Sequence, residues 1–203
     1  MYSMSGDPTN YEDACKDSKW VIAMEDEIKA IEQNHTWDLV EAPEGVKPMG
    51  VKWVFKTKFN GDGKVDKYKA RLVVKGYTQR KGIDYNEIFA PVAQWDTIRT
   101  LLAVAAQRDF QLDIKSAFLH GELKKLVYVD QPEGFTKKGE ETKVYKLNKT
   151  LYGLKQAPRA WFNCIEAYFM RKGFKKSKYD HTLFIKRVWN KVIIVGLYVD
   201  DLR

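Results

Sequence analysis

Two stretches of the chain alternate apolar and polar residues, and a glycine-rich tetrapeptide separates them. The first is VKWVFKTKF (51–59) and the second is KVDKYKARLVVKGY (64–77). A period of two is typical of a β-strand with one buried face. Between the two stretches lies Asn-Gly-Asp-Gly (60–63), which favours a tight turn because glycine adopts positive φ at little cost. The pattern therefore predicts a β-hairpin over 51–77.

Three other stretches carry apolar residues at helical spacing. We predict helices over 18–33, with Ser18 as the N-cap, over 96–108, and from Pro158 at the first helical position to a stop at Gly173. Each helix is expected to bury four of these apolar residues. They are Trp20, Met24, Ile28 and Ile31 in the first helix, Ile98, Leu101, Leu102 and Ala105 in the second, and Trp161, Ile165, Tyr168 and Phe169 in the third.

The second half of the chain contains several further apolar runs of strand length. We predict a strand ending in a short helix over 110–119, a strand and turn over 126–135, a strand and loop over 143–158, and a second hairpin whose strands, 182–188 and 191–199, flank Trp189-Asn190. This order of elements is typical of the α+β class, with an antiparallel sheet that carries helices on one face.

The composition is that of a globular domain. The 203 residues include six Trp, eleven Tyr and ten Phe, and no apolar run approaches the roughly 20 residues of a membrane span. The N-terminus lacks the pattern of a signal peptide, so we expect an intracellular, non-secreted protein. Cys15 and Cys164 lack metal-site spacing and are interpreted as thiols, with a disulfide as the alternative.

The net charge of +8 is concentrated in the predicted hairpin. Residues 11–44 carry ten acidic and three basic side chains, whereas residues 47–82 carry eleven basic and two acidic ones. Such a concentration of positive charge indicates a polyanionic partner, either nucleic acid or a triphosphate. The alternative is a solvated strand face without a partner.

Two carboxylate sites follow apolar strand residues. Asp113 lies in QLDIKSAF, and Asp200-Asp201 follow VIIVGLYV. These carboxylates meet only if their strands are neighbours in one sheet. They would then repel each other, and either protonation or a bound cation would relieve that repulsion. Two Mg²⁺ ions with oxygen ligands would also suit phosphoryl transfer. Taken alone, however, an Asp-Asp pair is more often an ordinary turn.

The wider pattern resembles the reverse transcriptase of copia-type LTR retrotransposons along almost the whole chain. The motifs that carry this resemblance are, in order, AMEDEIKAIEQNHTWDLV, VKWVFKTKFNGDGKVDKYKARLVVKGYTQRKGIDYNEIFAPV, QLDIKSAFLHGEL, VYVDQPEGF, LYGLKQAPRAW and LYVDD. The resemblance implies an RNA-directed DNA polymerase with a right-hand fold, acting on an RNA or DNA template-primer and a dNTP. It also implies a cytoplasmic location (in a virus-like particle) and/or a nuclear one. The parts implied are an N-terminal segment (1–50), fingers (51–92) and an incomplete palm (93–203) with part of the fingers at 126–160.

The resemblance also implies roles for individual residues. Asp113, Asp200 and Asp201 would hold two Mg²⁺ ions (or Mn²⁺), with the Ile114 carbonyl as a further ligand. Arg71, with Lys69 or Lys75, would bind nucleotide phosphates, although both lysines also suit a plain solvent-facing role. Phe118 would contact the sugar, although it also suits a place in the core. Gln156 would lie near the nucleotide 3′-hydroxyl, although it could instead only stabilise its turn. Tyr198 and Val199 would lie near the primer end.

In this family the chain continues beyond the aspartates into the rest of the palm and the thumb. We therefore expect 192–199 to form an apolar strand with an open edge, and the isolated chain to be poorly soluble or unstable. The alternative functions are a catalytically inactive remnant that only binds nucleic acid and a structural relic with no nucleic-acid function.

Overall fold

The computed structural model describes residues 6–106 and 117–197. Most of the strand predicted over 110–119 lies outside this range, as do Tyr198, Val199 and the Asp200-Asp201 pair. The helices are α1 (Tyr11–Ala14), α2 (Ser18–Gln33), α3 (Trp95–Ala106) and α4 (Ala157–Arg171), with short 3₁₀ helices at Gly76–Thr78 and Ala117–His120. The strands are β1 (Trp37–Val40), β2 (Val51–Phe59), β3 (Val65–Val74), β4 (Glu122–Val129), β5 (Val144–Lys149), β6 (Lys175–Lys176), β7 (Leu183–Val188) and β8 (Lys191–Gly196).

The described strands form three antiparallel sheets. β2 pairs with β3, β5 lies between β1 and β4, and β7 lies between β6 and β8. The mixed α/β character and the antiparallel pairing agree with the predicted class. The single sheet expected in the second half of the chain is divided into two within the described residues, one containing β4 and β5 and the other containing β6, β7 and β8. The strand predicted before Asp113, which was expected to be a neighbour of β8, is not among them.

The hairpin of β2 and β3 is confirmed, and its turn forms as the tetrapeptide predicts. Gly63 has a φ of 75°. The Asn60 side-chain oxygen accepts hydrogen bonds from the backbone N–H groups of Asp62 and Lys64, at 3.1 and 2.9 Å. A short polar side chain thus satisfies the donors that the chain reversal leaves unpaired.

Helix α2 packs its apolar face against this hairpin. The Trp20 ring meets the rings of Phe55 and Tyr68 edge-on, with centroid distances of 5.4 and 4.9 Å. Trp20, Met24 and Ile31 are buried, as predicted. A two-stranded ribbon is marginal by itself, so this helix supplies much of the apolar support that the hairpin requires.

Three details of the predicted helices are wrong. The N-cap of α2 is Asp17 rather than Ser18, because the Asp17 carboxylate accepts the Lys19 N–H at 3.0 Å. Pro158 is the second residue of α4 rather than the first. Tyr168 is 45% exposed, because Phe162 rather than Tyr168 joins Trp161 on the buried side of α4.

Strand β1 was not predicted, because four residues are too few to show a period. It pairs with β5, where the rings of Trp37 and Tyr145 stack at 4.0 Å. The edge strand β8 pairs with β7 and leaves Val192, Ile193 and Ile194 exposed.

Both cysteines are free thiols. Within the described residues, none of the helices has the length and apolar character needed to cross a membrane.

Candidate active site

One face of the hairpin carries a dense array of positive charge. The register pairs Lys56 with Lys69 and Lys58 with Lys67 across the two strands. Since side chains alternate between the faces of a strand, the basic residues share the face that points away from α2. This basic face consists of Lys52, Lys56, Lys58, Lys67, Lys69 and Arg71. Cross-strand pairs of like charge are destabilising, so a bound polyanion would relieve their repulsion.

Arg71 is held at the base of the hairpin by an aromatic ring. Its guanidinium lies over the ring of Tyr152, with 4.4 Å between Cζ and the ring centroid. Lys75 comes just after β3 and occupies the N-cap position of the 3₁₀ helix Gly76–Thr78, without a capping hydrogen bond from its side chain. Its side chain runs past Gly50, where an added Cβ would lie 3.2 Å from the lysine Cδ. Of the predicted phosphate-binding residues, Arg71 and Lys69 thus lie on the basic face, and Lys75 lies at the base of the hairpin.

The segment 151–156 reaches this base through backbone contacts that leave little space. The Val74 N–H donates to the Tyr152 carbonyl at 2.7 Å. Gly153 has a φ of 90°, and an added Cβ there would lie 2.2 Å from the Val74 carbonyl oxygen. Only glycine fits such a close approach at positive φ. The fold therefore brings Arg71 to the loop that also carries Gln156, 85 positions away in sequence.

Gln156 is the N-cap residue of α4, but its side chain does not cap the helix. Its Oε1 instead accepts a hydrogen bond of 3.0 Å from Nε2 of Gln79. Gln79 is only 5% exposed and also accepts the Lys155 N–H at 2.8 Å. Gln79 was not among the residues predicted from the sequence, in which it is only a polar residue shortly after the apolar strand β3.

Phe118 lies in the 3₁₀ helix Ala117–His120, which packs against α4. Its side chain is outside the described part of the structure. The backbone after this helix is close to the start of α4, since an added Cβ at Gly121 would lie 2.8 Å from the Trp161 nitrogen. Phe118 and Gln156 therefore belong to neighbouring elements, although the contact of Phe118 with a sugar stays a prediction.

A buried carboxylate, also missed from the sequence, lies on the face of α2 that packs against the hairpin. Glu27 is 7% exposed, and its Oε1 lacks a hydrogen-bond partner among the described residues. Burial raises the pKa of the Glu27 carboxyl. The charges of Arg71 and Lys69 and a hydrogen bond from the Leu72 backbone oppose part of that rise. The signal was available, because position 27 follows Trp20 and Met24 on the apolar stripe.

The predicted metal ligands Asp113, Ile114, Asp200 and Asp201 lie outside the described residues, as do Tyr198 and Val199. The described chain approaches the aspartate pair through β8 and the buried Leu197, whose N–H donates to the Thr182 carbonyl at 2.8 Å. Residues 6–106 and 117–197 contain no group of three His, Cys, Asp or Glu side chains that could hold a metal ion.

Comparison with known proteins gives a family match over most of the chain. The family model described as "Reverse transcriptase (RNA-dependent DNA polymerase)" matches residues 34–203. No solved structure matches the chain.

Several transposon polyproteins are similar to the chain. The Retrovirus-related Pol polyprotein from transposon TNT 1-94 of Nicotiana tabacum is 49% identical over 184 residues, which are 89% of this chain and 14% of that protein. The corresponding polyprotein from transposon RE2 of Arabidopsis thaliana is 45% identical over 98% of this chain and 14% of its own length. The Transposon Ty1-LR2 Gag-Pol polyprotein of Saccharomyces cerevisiae is 27% identical over 96% of this chain and 11% of its own length. The chain thus spans about one seventh or less of these relatives.

Proposed function

Since the chain belongs to the reverse transcriptase (RNA-dependent DNA polymerase) family, we propose that it carries out RNA-directed DNA synthesis as part of a retrotransposon polyprotein. In this reaction the 3′-oxygen of a primer bonds to the α-phosphorus of a deoxynucleoside triphosphate, and pyrophosphate leaves. The template is RNA or DNA. The resemblance to copia-type elements agrees with the similarity to plant transposon Pol polyproteins.

The observation that carries the proposal is the meeting of the basic face with the loop 151–156. Arg71 and Gln156 are far apart in sequence, and both belong to the motifs of the resemblance. The Arg71 stack on Tyr152 and the Val74–Tyr152 hydrogen bond bring the hairpin to this loop. This arrangement supports a nucleotide site in which Arg71 binds phosphate oxygens bidentately. Lys69 and Lys75 add positive charge on either side.

We assign the metal site to Asp113, Asp200 and Asp201, with the carbonyl of Ile114 as a further ligand. All four groups offer oxygen donors, which Mg²⁺ and Mn²⁺ prefer, so the donor set fits two such ions. Divalent cations, when bound, lower the pKa of a primer hydroxyl and stabilise charge on departing pyrophosphate. The chain's own contribution is positioning: Phe118 would contact the sugar, Gln156 would lie near its 3′-oxygen, and Tyr198 and Val199 would lie near the primer end.

The same resemblance assigns 51–92 to the fingers and 93–203 to the palm, with 126–160 returning to the fingers and 1–50 as the N-terminal segment. The setting is that of an intracellular retrotransposon polyprotein.

Primer extension tests the proposed activity. The protein, with any coding sequence that flanks this chain in its gene, is incubated with an RNA template, a DNA primer, dNTPs and Mg²⁺. We expect primer extension that Asp200→Asn abolishes and that Asp26→Asn, a change on the exposed side of α2, leaves intact. Extension that persists in Asp200→Asn would contradict the assignment.

A second candidate, nucleic-acid binding without catalysis, is favoured by the extent of the basic face. It predicts salt-dependent binding to a primer–template without incorporation, and that Asp200→Asn leaves the binding unchanged.

A further inference from the structure

Gln79 uses its side-chain amide and its backbone carbonyl to hold the residues at the start of α4. Its Oε1 accepts the Lys155 backbone N–H at 2.8 Å, and its Nε2 donates to Gln156 Oε1 at 3.0 Å. Its backbone carbonyl accepts a third hydrogen bond, of 3.0 Å, from Lys155 Nζ. A polar side chain that is 5% exposed is stable in such a place because its hydrogen bonds replace those it would make with water.

These contacts fix which way both amides face. A backbone N–H can only donate, so the atom of Gln79 that faces Lys155 must be the oxygen. The amide nitrogen of Gln79 then faces Gln156, and because this nitrogen only donates, it must meet the oxygen of Gln156. Chemistry therefore settles an assignment that the similar shapes of the amide oxygen and nitrogen would otherwise leave open.

The amide nitrogen of Gln156 consequently points away from Gln79. It lies 3.5 Å from the Asp84 carbonyl oxygen, which is at the long limit for a hydrogen bond. The Asp84 loop is itself held by hydrogen bonds of 2.7 and 2.6 Å from Lys125 Nζ to the carbonyls of Gly82 and Ile83. Gln156 thus keeps an N–H donor that a ligand can take over.

We propose that Gln79 is a positioning residue that orients the Gln156 amide, so that Gln156 donates an N–H to the 3′-oxygen of the incoming nucleotide. This inference rests on the proposed polymerase function and gives the contact a direction. The nucleotide must supply an acceptor at that point, and Gln156 is committed to donating by a residue that does not touch the substrate.

Kinetics with paired nucleotides test the proposal. A dideoxynucleotide lacks the 3′-oxygen and so cannot accept the Gln156 hydrogen bond. We expect Gln79→Leu to lower kcat/KM for a dNTP by roughly tenfold, the effect of losing one oriented hydrogen bond, and to leave incorporation of the matching dideoxynucleotide within about twofold of wild type. Equal losses for both nucleotides would overturn the proposal, because they would indicate only structural damage.

Gln79→Glu provides a sharper test. The ionised carboxylate still accepts the Lys155 N–H but cannot donate, so Gln156 must turn its nitrogen inward and present its oxygen. The dNTP-specific loss should therefore be at least as large as in Gln79→Leu. It should shrink as the pH falls and the carboxyl gains a proton that it can donate. A loss that does not change with pH would contradict the mechanism.

Gln131→Leu and Gln131→Glu are matched controls. Gln131 also accepts a backbone N–H, from Lys137 at 2.9 Å, and donates to the carbonyls of Glu140 and Lys143. It lies in another loop, however, so its variants should not distinguish the two nucleotides. The double variant Gln79→Leu/Gln156→Leu should lose no more than Gln156→Leu alone, because Gln79 acts through Gln156.

A readout without catalysis separates this inference from the proposed function. The side-chain NH₂ protons of Gln79, one of which is donated to Gln156 Oε1, are identified by NMR from their loss in Gln79→Leu. The exchange of the donated proton with solvent should speed up by roughly tenfold in Gln156→Leu and stay unchanged in Gln131→Leu. Unchanged exchange in Gln156→Leu would overturn the orientation itself. The expected change in exchange, found in a protein that extends no primer, would count against the polymerase function instead.

Discussion

The guanidinium of Arg71 lies over the ring of Tyr152, with 4.4 Å between Cζ and the ring centroid. The stack holds a planar cation at the junction of the hairpin and the loop 151–156. Because the ring attracts the cation through its π-face, the guanidinium edge, which carries the hydrogen-bond donors, stays available to phosphate oxygens. One aromatic contact thus joins the fold to the proposed nucleotide site.

We expect Tyr152→Leu to weaken nucleotide binding more than Tyr152→Phe does. Leucine removes a cation–π interaction of about 0.5–2 kcal/mol, so KM for the dNTP should rise about two- to thirtyfold, whereas phenylalanine keeps the ring. Steady-state primer extension measures both. Tyr168→Leu is the control, since the Tyr168 ring also lies under a cation, Lys172 Nζ at 5.7 Å, but on the exposed side of α4. Equal KM changes in Tyr152→Leu and Tyr152→Phe would contradict the role of the stack.

Neutralising the outer part of the basic face should make nucleic-acid binding less dependent on salt. We expect Lys56→Gln/Lys67→Gln to reduce the slope of log K against log salt by about 0.7–0.9 for each phosphate that the variant no longer neutralises. Fluorescence anisotropy of a labelled primer–template, measured at several salt concentrations, gives the slope. Lys175→Gln/Lys178→Gln removes two exposed charges elsewhere and should leave the slope unchanged. An unchanged slope in the hairpin variant would argue for a merely solvated face.

The buried Glu27 should make the fold less stable as the pH rises. Burial, opposed by Arg71, the Leu72 backbone and Lys69, raises the pKa of this carboxyl in the folded state above its ordinary value of 4.5. The folded chain therefore holds the proton more tightly than the unfolded chain. The resulting stabilisation is present below pH 4.5 and is lost as the pH rises through the folded-state pKa.

Glu27→Gln should abolish that part of the pH dependence, because the amide has the shape of the protonated carboxyl and does not titrate. Urea unfolding at several pH values above 4 measures the free energy of unfolding. Glu25→Gln removes an exposed charge from the same helix and serves as the control. Identical pH profiles for wild type and Glu27→Gln would contradict the prediction.

Gly153→Ala should destabilise the fold and separate the loop from the hairpin. The new Cβ would lie 2.2 Å from the Val74 carbonyl oxygen at a φ of 90°, so the backbone must move. We expect a loss of about 2–4 kcal/mol in the free energy of unfolding. Gly139→Ala is the matched control. Position 139 also has a positive φ, 78°, but lies in open space, so its loss should be only about 1 kcal/mol. Similar losses in thermal or urea unfolding would show that the Gly153 contact is unimportant.

The elements that the sequence predicted are those with long, clean periodicity. The hairpin, its Asn-Gly-Asp-Gly turn and the core of α2 follow from local pattern and glycine chemistry. The predictions that failed depended on single residues. Asp17 replaced Ser18 as the N-cap of α2 because both can cap a helix and only the backbone position decides. Tyr168 became exposed because Phe162 filled the buried side of α4.

The sequence by itself determined the family and the basic face, because motif order and alternation are properties of the chain as written, whereas the catalytic roles of Asp113, Asp200 and Asp201 stay predictions. It could not determine which distant residues meet. Tertiary structure alone joined Arg71 to Tyr152 and Gln79 to Gln156. Such pairings depend on close approaches between separate elements, as at Gly153 and Val74, where backbone geometry rather than local residue preference decides what can touch.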